Sequence, residues 1–293
     1  MSPLRLWILA SRPRTLPAAI APVLVGTALA VNEDEFGALP FLAALVGSVF
    51  IQIGTNLSND YSDARRGADT EDRLGPVRVT AGGLMPPRRV LVGTYVAFGI
   101  AVAAGLYLAT VAGWELLVVG AASILAGVLY TGGPRPYGYE GLGELFVFVF
   151  FGLVAVVGSY YVQAEQLRWE AFALAVPVGL LAAAILVVNN VRDVDTDRRA
   201  GKRTLAVKLG RDRARAVFGA IVVLAFAAPA ATWALGGLSA WLLLTLAALP
   251  LAPPLIETVW SRTDGPALNG ALAATGRLLA AFSVLLAAGV LLS

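Results

Sequence analysis

The sequence predicts an all-α, polytopic membrane protein with about nine transmembrane helices. Three observations predict it. Of the 293 residues, 58% are hydrophobic and only 14% charged, with a mean hydropathy of +0.76. A soluble globular protein is about half apolar and about a quarter charged, so so few charges cannot cover a soluble surface of normal size. Apolar stretches near the ~20 residues that a helix needs to cross a bilayer recur along the chain. Basic residues then collect on alternate connections between them. This composition excludes a soluble enzyme, a disordered chain and a nucleic-acid-binding domain, while Gly 31 and Pro 16 suit membrane helices, whose neighbours satisfy freed backbone groups.

Taken in order, the helix cores are read at 16–31, 39–57, 90–112, 114–130, 145–162, 171–191, 216–235, 238–256 and 268–292. The first is short and contains Pro17 and Pro22; a turn at Gly113 separates the third from the fourth, and Gly236-Gly237 splits the seventh from the eighth. Residues 1–10 run into Arg12 and Arg14 without a small-residue cleavage pattern, so no cleavable signal peptide is expected. With these cores, every one of the 22 basic residues except Arg168 and Arg277 lies on the N-terminus or on the loops that share its side. That bias places the N-terminus and the long loops in the cytoplasm and the C-terminus outside. The acidic run Glu33-Asp34-Glu35 then reads as a solvated external turn. Arg277 falls inside the ninth core, where an unpaired charge is costly and should find a partner or a polar cavity.

The chemistry available is narrow. Cys 0 removes disulfides, thiolate catalysis and iron–sulfur ligation, and His 0 removes imidazole bases and metal ligands. Any metal site must be built from oxygen, which favours a hard cation such as Mg²⁺. Two long connections, about 58–89 and about 190–215, are dense in Asp and Arg, and long loops between closely connected helices are usually functional. If the preceding helices continue into them, Asn56, Asp60 and Asp63 form one stripe, and Asn189, Asp193 and Asp197 another at successive i, i+4 positions. Stacked carboxylates repel unless a cation sits between them. Opposed Asp stripes with Lys and Arg nearby suit a diphosphate bridged through Mg²⁺, with an apolar tail among the helices. The two segments also match each other (Asp63-Ala-Arg-Arg-Gly against Asp197-Arg-Arg-Ala-Gly), which suggests one domain over residues 1–293 with related four-helix halves near 12–142 and 143–260 and a ninth helix over 268–292.

At these residues the chain resembles a known family. Asn59-Asp60-x-x-Asp63 resembles the first aspartate-rich motif of the UbiA-type intramembrane prenyltransferases, and Asp193-x-x-x-Asp197 followed by Lys202-Arg203-Thr204 resembles the second. The resemblance implies a helical bundle around a central cavity capped by the two loops. Within the family the wording is closest to the branch that prenylates 1,4-dihydroxy-2-naphthoate in menaquinone synthesis. The stretches that carry this are Arg12-Pro-Arg14-Thr-Leu-Pro, Gln52-Ile-Gly-Thr-Asn56, Asp69-Thr-Glu-Asp-Arg73-Leu-Gly-Pro-Val-Arg78, Tyr130-Thr-Gly-Gly-Pro-Arg135 and Gly201-Lys-Arg-Thr-Leu-Ala-Val-Lys-Leu-Gly210. Where the general first motif has a third Asp, this chain has Gly67, as that branch does; the next carboxylate is Asp69.

By that resemblance the reaction is Mg²⁺-dependent transfer of a polyprenyl group from a polyprenyl diphosphate to the naphthoate ring, with loss of its carboxylate, giving demethylmenaquinone in the membrane lipid. Asp60, Asp63, Asp193 and Asp197 are the expected metal ligands, with Lys202 contacting diphosphate. Arg203 and Arg66 stand beside Lys202 in that role, and Asn56, Asn59 and Asn190 orient metal or phosphate. Arg12, Arg14, Asp69, Arg78, Tyr130, Arg135 and Tyr139 complete the expected substrate-binding set. Another aromatic acceptor, such as 4-hydroxybenzoate or homogentisate, stays open. A secondary transporter is the reading from another class, but transporters place their ionisable residues near the midplane, and here the helix middles are almost free of charge.

Overall fold

A computed structural model describes residues 1–68 and 74–293; helices dominate, and there is no strand among the described residues. A short amphipathic helix, α1 (Pro3–Ser11), precedes a 3-10 turn at Pro13–Thr15 and α2 (Pro17–Asn32). Next come α3 (Ala38–Arg65), α4 (Pro87–Ala112) and α5 (Glu115–Leu129). A 3-10 turn at Tyr137–Glu140 leads into α6 (Gly143–Ala164). The chain closes with α7 (Trp169–Arg199), short α8 (Leu205–Leu209), α9 (Arg211–Ala234), α10 (Ala240–Ser261, of which Ala240–Leu251 is wound as a 3-10 helix) and α11 (Gly265–Leu291).

A helix stands at each of the nine expected cores, and the breaks fall where glycine allows them: Gly113 has φ +107 and Gly236 φ +82. Not every one of these helices is long and apolar enough to cross a membrane by itself. Among the described residues, seven helices are long and apolar enough to cross a membrane, or eight if α1 with its turn and α2, bent by 55°, count as one span. The bend has a local cause: Arg12 is left-handed at φ 52, and Pro13 and Pro17 follow it. Helix α5 has 15 residues, a rise of roughly 22 Å against a hydrocarbon core of about 30 Å.

Helix α7 is the centre of the bundle, with 72% of its most apolar window buried against 11% for α3. Its backbone touches that of α6. A Cβ on Gly152 would lie 2.7 Å from the Gly179 Cα, so both positions exclude any side chain. That contact lies within a π-helical stretch, Phe148–Val154, where the wider turn shifts the register of the α6 side chains. At the end of the bundle away from the Asp motifs, the acidic turn is not simply solvated. Glu33 accepts hydrogen bonds from Arg168 (2.5 Å) and from the Tyr160 hydroxyl (2.7 Å), so the single basic residue expected on that side is tied to it.

The long connections are more helical than loop-like. Helix α3 runs on through Arg65 and α7 through Arg199, so both Asp motifs are the last turns of membrane helices. Each ends in the same way. Gly67 and Gly201 are left-handed (φ +65 and +73), and the amides of Ala68 and Lys202 return to the carbonyls of Asp63 and Asp197 at 3.0 and 2.9 Å. This is the six-to-one closure of a Schellman turn. It explains why glycine, not a carboxylate, occupies position 67.

Candidate active site

The ends of α3 and α7 open into one cavity of about 360 Å³, lined at its polar end by Asn59, Asp63, Asp193, Asp197 and Lys202. The Schellman turn at Gly201 folds Lys202 back toward the helix ends. Its ammonium stands 3.7 Å from Asp63 and 3.9 Å from Asp197, bridging carboxylates of two helices, and 4.7 Å over the Tyr139 ring. Asp63 is 1% exposed; it also accepts from Arg78 (3.0 Å) and from the Tyr139 hydroxyl (2.5 Å). Burial first, and then the Asp63 carboxylate, push the Tyr139 phenol up from its ordinary value, so it stays a donor. Arg12 and Tyr130 line the same cavity.

The loop between α5 and α6 ties the two motifs together. Thr131 donates to Asn59 (2.9 Å), the Arg203 amide donates to the Tyr139 carbonyl (2.8 Å), and Arg66 donates to the Gly133 carbonyl. On the other side, the Arg192 guanidinium, 1% exposed, holds Asp193 with two hydrogen bonds (2.8 and 2.5 Å). It also donates to Asn189 (2.8 Å) and to Asn269 of α11 (2.6 Å). Asn190 donates to Glu144 (2.7 Å), and both Asn189 and Asn190 line the cavity.

Several expected site residues lie elsewhere. Asp60 does not line the cavity. Its two carboxylate oxygens accept the backbone amides of Val79 and Thr80, each at 3.0 Å. The reason is helical phase: Asn59 and Asp63 are one turn apart and share a face, whereas Asp60 lies about 100° around the helix from Asn59. Asn56 reaches the cavity wall, but its amide is spent on Ser11 (3.0 Å) and Thr15 (3.2 Å), anchoring the turn before α2. Arg66 and Arg203 contribute to the loop contacts above and do not line the cavity. Arg135 faces outward beside Glu140 (3.4 Å), and Arg14 lines a separate recess. Asp69 lies outside the described residues. Reading the sequence missed Arg192, which looked like one more topological charge, and Thr131 and Asn269, which carry no spacing signal.

Below the polar end the cavity continues between the helices as an apolar channel. Phe146, Phe150 and Phe151 of α6 line it together with Ala101 and Gly105 of α4 and Gly120 of α5. The Tyr137 ring stacks on Phe146 at 3.9 Å and meets Tyr130 edge-on at 5.5 Å. A site with this shape can hold a charged head between the Asp-bearing helix ends and an apolar tail along the channel.

Comparison with known proteins gives a concordant result. The model of the UbiA prenyltransferase family matches residues 19–267. The chain is 42% identical over 287 residues to the 1,4-dihydroxy-2-naphthoate octaprenyltransferase of Mycobacterium leprae, covering 98% of this chain and 96% of the relative. It is 43% identical over 215 residues to the protein of that name from Escherichia coli, covering 71% and 70%. Among solved structures, the apo UbiA homolog from Aeropyrum pernix aligns with a TM-score of 0.69 at 16% identity, over 94% of this chain and 97% of the other. A UbiA homolog from Archaeoglobus fulgidus bound to GPP and Mg²⁺ aligns at 0.66 and 14% identity, over 96% and 99%. At those identities the structural likeness is one of fold.

Proposed function

Because this chain belongs to the UbiA prenyltransferase family, we propose that it joins a polyprenyl group from an allylic diphosphate to the ring of 1,4-dihydroxy-2-naphthoate, releasing carbon dioxide and diphosphate. The observation that carries this reading is the single cavity with Asp63, Asp193, Asp197 and Lys202 at one end and an apolar aromatic channel below them. The relatives named above supply the acceptor and the polyprenyl donor.

The donor set fits a divalent cation of the hard kind. Every candidate ligand is oxygen: the carboxylates of Asp63, Asp193 and Asp197 and the amides of Asn59 and Asn189. Among the described residues no three acidic groups are close enough to hold an ion by themselves. That suits Mg²⁺, which typically takes one or two carboxylates and completes its shell with water and substrate phosphates. Lys202, between Asp63 and Asp197, supplies positive charge where such an ion would be shared. When bound, the ion would withdraw negative charge from the departing diphosphate.

The side chains of the chain do the rest. Lys202, Arg78 and Arg12 line the polar end and stabilise charge as the allylic C–O bond breaks and its electron pair leaves on diphosphate. The rings of Tyr130, Tyr137, Phe146 and Phe150 keep water from the allylic cation and present π faces to it. Ring electrons of the acceptor form the new C–C bond. The bond to the carboxyl carbon then breaks, returning its electron pair to the ring as carbon dioxide departs.

The bias of basic residues supports a cytoplasmic position for the site end and the N-terminus. The matching Schellman turns support descent of the two halves from one four-helix unit. The test of the acceptor uses purified protein, Mg²⁺, a long-chain allylic diphosphate and a panel of aromatic acids, with products and carbon dioxide followed by mass spectrometry. Product with carbon dioxide from 1,4-dihydroxy-2-naphthoate alone is the expected result. Product from 4-hydroxybenzoate without carbon dioxide would keep the fold and replace the acceptor.

A further inference from the structure

Arg277 is a charge for which the proposed reaction has no use. It lies within α11, one of the helices able to cross a membrane, and its side chain is exposed. Its position is roughly 18 Å along the helix axis from Gly265. Among the described residues, neither Arg277 nor Arg14 has an ion pair or hydrogen bond. Both line one recess of about 960 Å³ between the turn before α2 and α11, separate from the reaction cavity.

Beside its two guanidinium groups the recess presents little side-chain bulk. Its other walls are prolines and small residues, including Pro13, Pro76, Gly270 and Gly276, with no aromatic side chain and no carboxylate among the described residues. Gly276 is required for the approach: a Cβ there would lie 3.0 Å from the Arg14 carbonyl oxygen, so the Arg14 backbone rests directly on α11. Asn269 also lines the recess, and its side chain links Arg192 (2.6 Å) to the Leu74 carbonyl (2.9 Å), which places the recess at the Asp-bearing end of the bundle.

Two guanidinium groups with no protein anion among the described residues, one of them on a membrane helix, are expensive unless an anion meets them. A guanidinium matches a phosphate with paired N–H donors. Basic pockets between membrane helices at the cytoplasmic side are where anionic lipid headgroups dock. We propose that Arg14 and Arg277 form a recess for the phosphate of an anionic membrane phospholipid, apart from the reaction site. The lipid source is favoured over free phosphate because Arg277 is exposed within a helix long and apolar enough to cross a bilayer.

The test is lipid retention by the full-length protein in detergent, read by native mass spectrometry with phosphatidylglycerol and phosphatidylcholine as probes. Wild type should keep one phosphatidylglycerol in preference to phosphatidylcholine, and R277Q and R14Q should each hold it about tenfold more weakly. Inorganic phosphate at equal concentration should not displace it. Equal retention by wild type and both variants, or equal retention of the two lipids, would overturn the proposal. Displacement by inorganic phosphate would overturn the lipid as occupant. Should R277Q fail to fold, R14Q carries the same readout, since Arg14 sits in the exposed turn between α1 and α2.

Discussion

Asp60 and Asp63 are separated by one helical turn, yet their substitution by Asn should change the Mg²⁺ requirement very differently. Asp60 is 2% exposed, and each of its oxygens accepts one backbone amide, from Val79 and Thr80 at 3.0 Å. Asn in its place turns one acceptor into a donor facing an N–H. The loss of one hydrogen bond to a charged group is about 2 kcal/mol. In a chain of this size that lowers Tm by roughly 3 °C. The segment freed carries Arg78, which pairs with Asp63, so D60N should also weaken diphosphate binding while leaving the Mg²⁺ concentration for half-maximal rate within about threefold of wild type. D63N should raise the Mg²⁺ requirement at least about tenfold, and because it takes the carboxylate from Arg78, Lys202 and the Tyr139 hydroxyl it should lower Tm as well. The assay is product formation against Mg²⁺ concentration, with thermal unfolding measured on the same preparations. A D60N protein with unchanged Tm and a Mg²⁺ requirement shifted as far as that of D63N would refute the loop-anchor reading and return Asp60 to the metal site.

Three other variants probe the rest of the account. K202Q removes the ammonium between Asp63 and Asp197; it should bind Mn²⁺ more tightly without diphosphate, yet lose roughly 100-fold in kcat/KM, and weaker Mn²⁺ binding would count against this charge balance. R192M leaves Asp193 buried without its guanidinium and should cost about 3–5 kcal/mol of stability; R192M/D193L should recover part of the stability but not activity, and recovery of activity would show that Asp193 holds no metal. Y137F deletes the hydrogen bond to the Ala126 carbonyl (2.9 Å) and should cost about 1 kcal/mol. Burial raises the Tyr137 phenol, so its contribution is complete below its unfolded-state value near 10 and is lost as pH rises through the higher folded-state value. The stability gap between wild type and Y137F should therefore stay level up to about pH 10 and close only above it; closure near neutrality would contradict the burial.

The membrane class and the position of each helix were legible because composition, apolar length and charge alternation are local properties of the chain. The second stripe was legible for the same reason: Asn189, Asp193 and Asp197 lie on one helix at a four-residue spacing, and all three line the cavity. Of the first stripe, Asn56 and Asp63 line the cavity and Asp60 does not. Helix periodicity alone allows either Asn56 with Asp60 or Asn59 with Asp63, and the choice is made by the loop that claims Asp60. Arg192 could not be distinguished from its neighbours by sequence, because its burial comes from α11, far along the chain. The length of α5 and the bend before α2 show why a count of apolar stretches exceeds the count of helices that pass the length test.

The central claim is that carboxylates of two helices jointly hold a metal–diphosphate head. It is tested most directly by the structure of the protein with Mn²⁺ and a non-ionising prenyl thiolodiphosphate, located by the anomalous signal of the metal. The account predicts Mn²⁺ between the helix ends that carry Asp63 and Asp197, the diphosphate against Lys202, and the prenyl chain along Phe146 and Phe150. Metal bound at Asp60, or diphosphate seated away from the Asp63–Asp197 gap, would contradict it.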